Sequence, residues 1–114
     1  MAIAPGQVYW ASVEGRPPRP WVVVSREALN RGAYVLALPC TTARMSERRT
    51  LRNCVSLASG EGGVTKNCVV QAELCASVLR EELDGTPMGS LPEDRWREVV
   101  RALGYVFLAA CEPE

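Results

Sequence analysis

The sequence predicts a mainly β fold with few helices: a small, strongly bent, partly open barrel with one C-terminal helix over its mouth. Three observations predict it. Short runs rich in β-branched and aromatic residues recur between proline and glycine breaks, the connections between them are close, and only the C-terminal stretch carries an apolar spacing of three and four. At 114 residues the chain is long enough for one real core and too short for two, so residues 1–114 read as one domain.

Gly6 to Val13 opens as a strand, with Val8, Trp10 and Ser12 on one side and Tyr9, Ala11 and Val13 on the other. Glu14 to Pro20 then holds Gly15 and three prolines, and proline donates nothing to a sheet ladder, so this segment reads as a loop. Trp21-Val22-Val23-Val24 gives a buried second strand. Ser25 is placed to cap a short turn through Arg26, Glu27, Ala28 and Leu29, which Asn30-Arg31-Gly32 ends. Tyr34 to Leu38 reads as a third strand that Pro39 stops, leaving Cys40, Thr41 and Thr42 at its exit, where reactive side chains are commonly displayed.

Thr42 to Thr50 is polar and arginine-rich with no apolar period, the pattern of a mobile surface loop. Leu51 to Leu57 alternates as a half-exposed strand. Gly60, Gly62 and Gly63 make a turn, Asn67 to Glu73 another strand, and Leu74 to Leu83 a short strand mixed with a turn, before Gly85-Thr86-Pro87 and Gly89 break the chain again. Five or six strands result. Trp96, Val99, Val100, Leu103 and Phe107 then share one helical stripe. Ser90 with Glu93 three residues on forms a capping box, placing the helix start near Leu91.

Apolar residues at 47% and charged ones at 23% argue against a mainly disordered chain. The 13 basic and 13 acidic residues cancel, so global charge predicts no polyanionic partner. Local charge does: Arg44, Arg48, Arg49 and Arg52 crowd one segment with Glu47 alone among them, and such a rim can hold phosphates. The cysteines (Cys40, Cys54, Cys68, Cys75, Cys111) are odd in number and form no Cys-x-x-Cys pair, which fits neither a disulfide framework nor a zinc ribbon and points to a reducing cytoplasm. With no histidine, a metal site would need thiolates or carboxylates alone, at spacings that match no ligand pattern, so neither metal nor other cofactor is expected. No apolar run approaches the roughly 20 residues that span a bilayer, and no basic-then-apolar leader opens the chain, so no membrane is expected as a partner.

One cation and one hydroxyl stand out. Arg19 precedes the second strand and Thr41 follows the third, and an arginine and a hydroxyl at two strand ends can meet around a phosphate. RNA carries its own nucleophile in the 2′-hydroxyl, so an enzyme need only align the strand and stabilise the developing charge. A guanidinium suits the second task, since it stays charged and meets two phosphate oxygens at once; a threonine hydroxyl suits orientation.

Pro5-Gly6-Gln7-Val8-Tyr9-Trp10, Arg19-Pro20 leading into Val22-Val23-Val24-Ser25, Asn30-Arg31, Pro39-Cys40-Thr41-Thr42, Gln71-Ala72-Glu73 and Gly89-x-Leu91 follow one another in this order. This series, running from about Pro5 to Leu108, resembles the MazF/PemK toxins. The resemblance implies an SH3-like barrel of the CcdB/MazF/PemK kind and a type II toxin–antitoxin endoribonuclease, active as a homodimer on single-stranded RNA. It also implies a cognate MazE-like antitoxin whose acidic tail covers the RNA groove, with DNA contacted only through that antitoxin. Matched residue by residue, Arg19 and Thr41 take the positions of the family's catalytic arginine and threonine. Arg16, Thr42, Arg44, Arg49, Gln71 and Glu73 are candidates for RNA contact. Trp10, Trp21 and Trp96 read as core or dimer-interface residues rather than base-stacking platforms.

The chain departs from the family pattern in two places. The loop before Arg19 is cut down to Glu14-Gly15-Arg16-Pro17-Pro18, and Leu74 and Ala76 stand where glutamine and arginine are common. Both bear on sequence preference more than on chemistry. Two readings compete with the ribonuclease: a non-catalytic RNA-binding barrel, and a gyrase poison of the CcdB kind, which acts through a C-terminal Trp-Gly-Ile where this sequence reads Cys111-Glu112-Pro113-Glu114.

Overall fold

The computed structural model of the protein describes residues 2–108, so Cys111 and the last acidic residues lie outside the described part. Seven strands form one curled antiparallel sheet: β1 (Gln7–Ala11), β2 (Arg19–Val23), β3 (Tyr34–Thr41), β4 (Cys54–Leu57), β5 (Cys68–Gln71), β6 (Ala76–Leu79) and β7 (Gly89–Ser90). Their order across the sheet is β4-β5-β3-β2-β1-β7, with β6 pairing β3 beside this path. A short helix α1 (Met45–Arg48) lies between β3 and β4, and the long helix α2 (Glu93–Leu108) closes the described chain.

The sheet buries both faces, which is why its central strands are apolar without alternation. One face presents Val8, Val22, Leu38, Val55, Leu57 and Val70 to Val99 and Ala102 of α2. The other curls over Tyr9, Ala11, Trp21, Val23, Val35, Ala37, Val78 and Leu83. Val8, Val22, Val23 and Leu38 are fully buried, each side chain contributing about 1.5–3 kcal/mol relative to exposure. Curling is possible because β3 changes partners along one edge. Its Tyr34–Ala37 stretch pairs with β6, and Cys40 and Thr41 pair with β5.

That change of partner accommodates Pro39, which the sequence reading made a stop. β3 runs through it to Thr41, with Pro39 opposite Trp21 of β2, because its missing amide falls in the gap between the β6 and β5 pairings. Other boundaries move too. β4 starts at Cys54 rather than Leu51, β5 ends at Gln71 because Ala72–Leu74 tightens into a 3-10 turn, and the arginine-rich loop contains α1.

Ser25 does not cap a helix. Its hydroxyl donates to the Asn30 side-chain oxygen and accepts the Leu36 N–H at 2.9 Å, while the Asn30 amide donates to the Ser25 and Ile3 carbonyls, both at 2.9 Å. Both residues are buried, so this network fixes the connection between β2 and β3 from within. Ser90 likewise belongs to β7, not to a capping box. The first helical bond of α2 runs from Trp96 N–H to the Pro92 carbonyl at 2.9 Å.

Candidate active site

Arg19 is the first residue of β2 and Thr41 the last of β3. β1 fixes the Arg19 backbone through the pairing of Ala11 with Arg19, and β5 fixes that of Thr41 through the pairing of Thr41 with Val69. β2 and β3 are neighbours in register at Trp21 and Pro39, and two residues further out along each strand stand Arg19 and Thr41. They line one cleft of about 240 Å³, together with Trp10, Cys40, Thr42, Lys66 and Cys68.

The cleft is chemically lopsided toward cations. Arg19 makes no salt bridge among the described residues, so its guanidinium is available to an anion. Thr41 Oγ1 accepts the Ala43 N–H at 3.1 Å, which uses one lone pair, fixes the oxygen and leaves the hydroxyl hydrogen free to be donated. Cys40 and Cys68 form the floor. A hydrogen bond to Cys68, reinforced by burial, holds the Cys40 thiol well above its ordinary pKa, so the residue next to Thr41 is a neutral thiol and not a thiolate nucleophile. The same bond pulls Cys68 downward.

Of the other residues singled out in the sequence, Thr42 lines this cleft and Arg16 does not. Arg16 lines a second cleft of about 190 Å³, also lined by Trp21, Leu74 and Ala76, which shares Arg19 with the first; its guanidinium lies 3.9 Å from Glu14. Arg44 sits in the left-handed region (φ 51°) at the start of α1 and Arg49 just after its end, both exposed and neither in the cleft. Gln71 and Glu73 turn toward each other. Gln71 Nε2 donates to Glu73 Oε2 at 3.3 Å, Asn53 Nδ2 to Glu73 Oε1 at 2.8 Å, and neither Gln71 nor Glu73 lines the cleft. Arg48 donates to the Ala43 carbonyl at 2.8 Å, and Arg52 stacks over Tyr105 of α2 at 4.4 Å.

Two residues of the cleft escaped the sequence reading. Of the tryptophans read as core or dimer-interface residues, Trp21 is buried in the core, whereas Trp10 is 41% exposed and also lines the cleft. The signal was its alternation with Val8 at the end of a strand that faces the proline loop. Lys66 gave a plainer one, being the only lysine in the sequence, between Thr65 and Asn67 just ahead of β5.

The chain matches, over residues 4–107, the family described as PemK-like, MazF-like toxin of type II toxin-antitoxin system. It belongs to that family. A mycobacterial endoribonuclease in complex with its cognate antitoxin superposes with a TM-score of 0.80 at 29% identity, over 98% of this chain and 100% of that one. A second mycobacterial endoribonuclease gives 0.74 at 26% identity, covering 93% and 91%. A MazE–MazF structure from Deinococcus radiodurans gives 0.74 at 25%, covering 93% and 95%. No match was found among curated proteins. The family resemblance and the bent, mainly β fold with its C-terminal helix are thus both borne out, and among the described residues no helix of this PemK-like chain is long and apolar enough to cross a membrane.

Proposed function

We propose that this chain is the toxin of a type II toxin–antitoxin pair and a sequence-specific, metal-independent endoribonuclease acting on single-stranded RNA in the cytoplasm. The observation that carries this reading is the meeting of Arg19 and Thr41 in one cleft of a PemK-like fold. Arg19 holds the non-bridging oxygens of the scissile phosphate and stabilises their added charge as the substrate's 2′-hydroxyl attacks phosphorus. Thr41 donates its free hydroxyl hydrogen to a phosphate oxygen and orients the strand. The P–O5′ bond breaks, leaving a 2′,3′-cyclic phosphate and a 5′-hydroxyl end. The attacking group belongs to RNA, so the chain needs no activated nucleophile of its own, which fits a neutral Cys40 and a sequence without histidine.

The mycobacterial relative in complex with its cognate antitoxin supports an antitoxin partner for this chain as well. A homodimer and an acidic antitoxin tail over the cationic cleft complete the reading. Incubation of the purified protein with long single-stranded RNA in excess chelator tests it, with cut positions and end groups mapped beside Arg19→Ala and Thr41→Ala. Cyclic-phosphate ends are expected from wild type, with cleavage strongly reduced in both variants. Strict dependence on added magnesium would overturn the mechanism, equal cleavage by all three would overturn the site, and binding without cleavage would favour the non-catalytic barrel.

A further inference from the structure

Lys66 stands in the cleft for a reason that composition makes conspicuous. All other basic side chains of this protein are arginines, and the single lysine lines the cleft that Arg19, Thr41 and Thr42 also line. The segment carrying it is pinned. The Gly60 N–H donates to the Val64 carbonyl at 2.7 Å, the Ser59 hydroxyl to the Thr65 carbonyl at 3.1 Å, and the Ser59 N–H to Asn67 Oδ1 at 2.9 Å. Lys66 is exposed and has no carboxylate within salt-bridge reach among the described residues.

Strand order fixes where this charge lies. β3 runs between β2 and β5, so Thr41 separates Arg19, at the end of β2, from Lys66, two residues before β5. The backbones of β2 and β5 are two strand spacings apart, about 10 Å. Two long cationic side chains on strands that far apart have the reach to hold neighbouring phosphates of one strand. Arg16 lines the adjoining cleft, which shares Arg19 with the first, so Lys66, Arg19 and Arg16 border two connected clefts with Thr41 in the one that holds Lys66. The half-exposed Trp10 ring in the wall offers a stacking surface for a base carried between them.

We propose that Lys66 is a phosphate-anchoring residue of this cleft, holding the phosphate next to the one at Arg19 and Thr41. The inference rests on the RNA-cleaving reading, and it assigns Lys66 to strand positioning rather than to the reaction. An exposed ammonium that neutralises one phosphate of a single strand adds about 0.7 to the steepness of the logarithmic salt dependence of binding. A merely solvated lysine adds nothing.

The test uses the full chain with Lys66→Gln and Lys66→Arg. Binding is measured across salt with random-sequence 2′-O-methyl RNA, which lacks the attacking hydroxyl at every position, and cleavage with unmodified RNA. Lys66→Gln is expected to flatten the salt slope by about 0.7. It should raise KM about tenfold with kcat nearly unchanged, whereas Lys66→Arg keeps both slope and KM. Acetylation of wild type by an N-hydroxysuccinimide ester, with the modified residue mapped by mass, should reproduce Lys66→Gln. Equal slopes for wild type and Lys66→Gln, no binding by wild type, or loss of kcat without a change in KM would each overturn the assignment. Wild type that binds with the predicted slope difference and leaves unmodified RNA uncut would instead overturn the cleavage reading alone.

Discussion

Arg19 and Thr41 stand opposite one another two residues beyond Trp21 and Pro39, the outermost register pair of β2 and β3. Neither position depends on a loop of its own. β1 holds one from the far side through Ala11, and β5 holds the other through Val69, so four antiparallel strands set the spacing between a cation and a hydroxyl. A site on strand ends is more rigidly held than one on loops.

The first prediction concerns Arg19. Its side chain pairs with no carboxylate among the described residues, so Arg19→Ala leaves the ladder intact and shifts stability by no more than about 0.5 kcal/mol. Single-turnover cleavage should fall roughly a hundredfold to a thousandfold, as expected for removal of one preorganised charge donor. Arg19→Lys should recover only part of this, since an ammonium meets the phosphate as a point charge. A Lys variant as active as wild type would show that geometry at Arg19 is unimportant.

Thr41 separates by shape and by hydroxyl. Thr41→Ser keeps the oxygen that accepts the Ala43 N–H and is expected to cut within a few-fold of wild type. Thr41→Val keeps the β-branch and removes the hydroxyl, with an expected loss of about tenfold or more. The orphaned Ala43 amide is exposed and finds water, so a melt of Thr41→Val should match wild type. Equal rates for the two variants would remove the hydroxyl from the mechanism.

Much of this was legible in the sequence because the strands carry their own signals. The runs around Val8, Val22, Leu38 and Val70 are strands, and the spacing from Trp96 to Phe107 is a helix. What misled was local grammar overridden by partners. Pro39 reads as a stop only if β3 needs its amide, and the change from β6 to β5 removes that need. Ser90 and Glu93 have the spacing of a capping box, yet β1 claims Ser90 as a strand residue opposite Gln7. Within the arginine run, Arg48 and Arg52 are committed to the Ala43 carbonyl and to Tyr105, while Arg44 and Arg49 are exposed outside the cleft. Cleft residues Trp10 and Lys66 come together only through strand order, which no short window contains.

Alkaline pH should destabilise the protein through its buried thiols. Cys40 is raised by its hydrogen bond to Cys68 and by burial, Cys54 by burial and the nearby Glu73 charge, and Cys75 by burial. For each, the unfolded chain loses its proton first, near the ordinary thiol value of 9.0. The stabilising contribution is therefore complete below that pH and is lost as pH rises through the folded-state values. Cys68 works in the opposite sense and offsets only part of this. Urea midpoints from pH 7 to 10.5 should fall above about pH 9, and Cys40→Ala should flatten the decline. A midpoint independent of pH over that range would contradict the buried, protonated state assigned to these thiols.

The last prediction tests how the sheet edge is closed. Gly63 has φ +81°, a region costly to any residue with a side chain, and a Cβ there would run into the Met88 carbonyl oxygen and the Gly89 amide. That contact seats β7 against β1, where the Met88 N–H donates to the Val8 carbonyl at 2.7 Å and Val8 pairs with Gly89. Gly63→Ala therefore combines backbone strain with displacement of β7, and a loss of about 2–4 kcal/mol is expected in urea unfolding. Gly104 is the control. It lies inside α2 with open space where a Cβ would go, so Gly104→Ala should gain about 0.5–1 kcal/mol from helix propensity alone. Were both substitutions neutral, the close approach of the Gly63 turn to β7 would not exist in solution, and the β1–β7 edge would need another support.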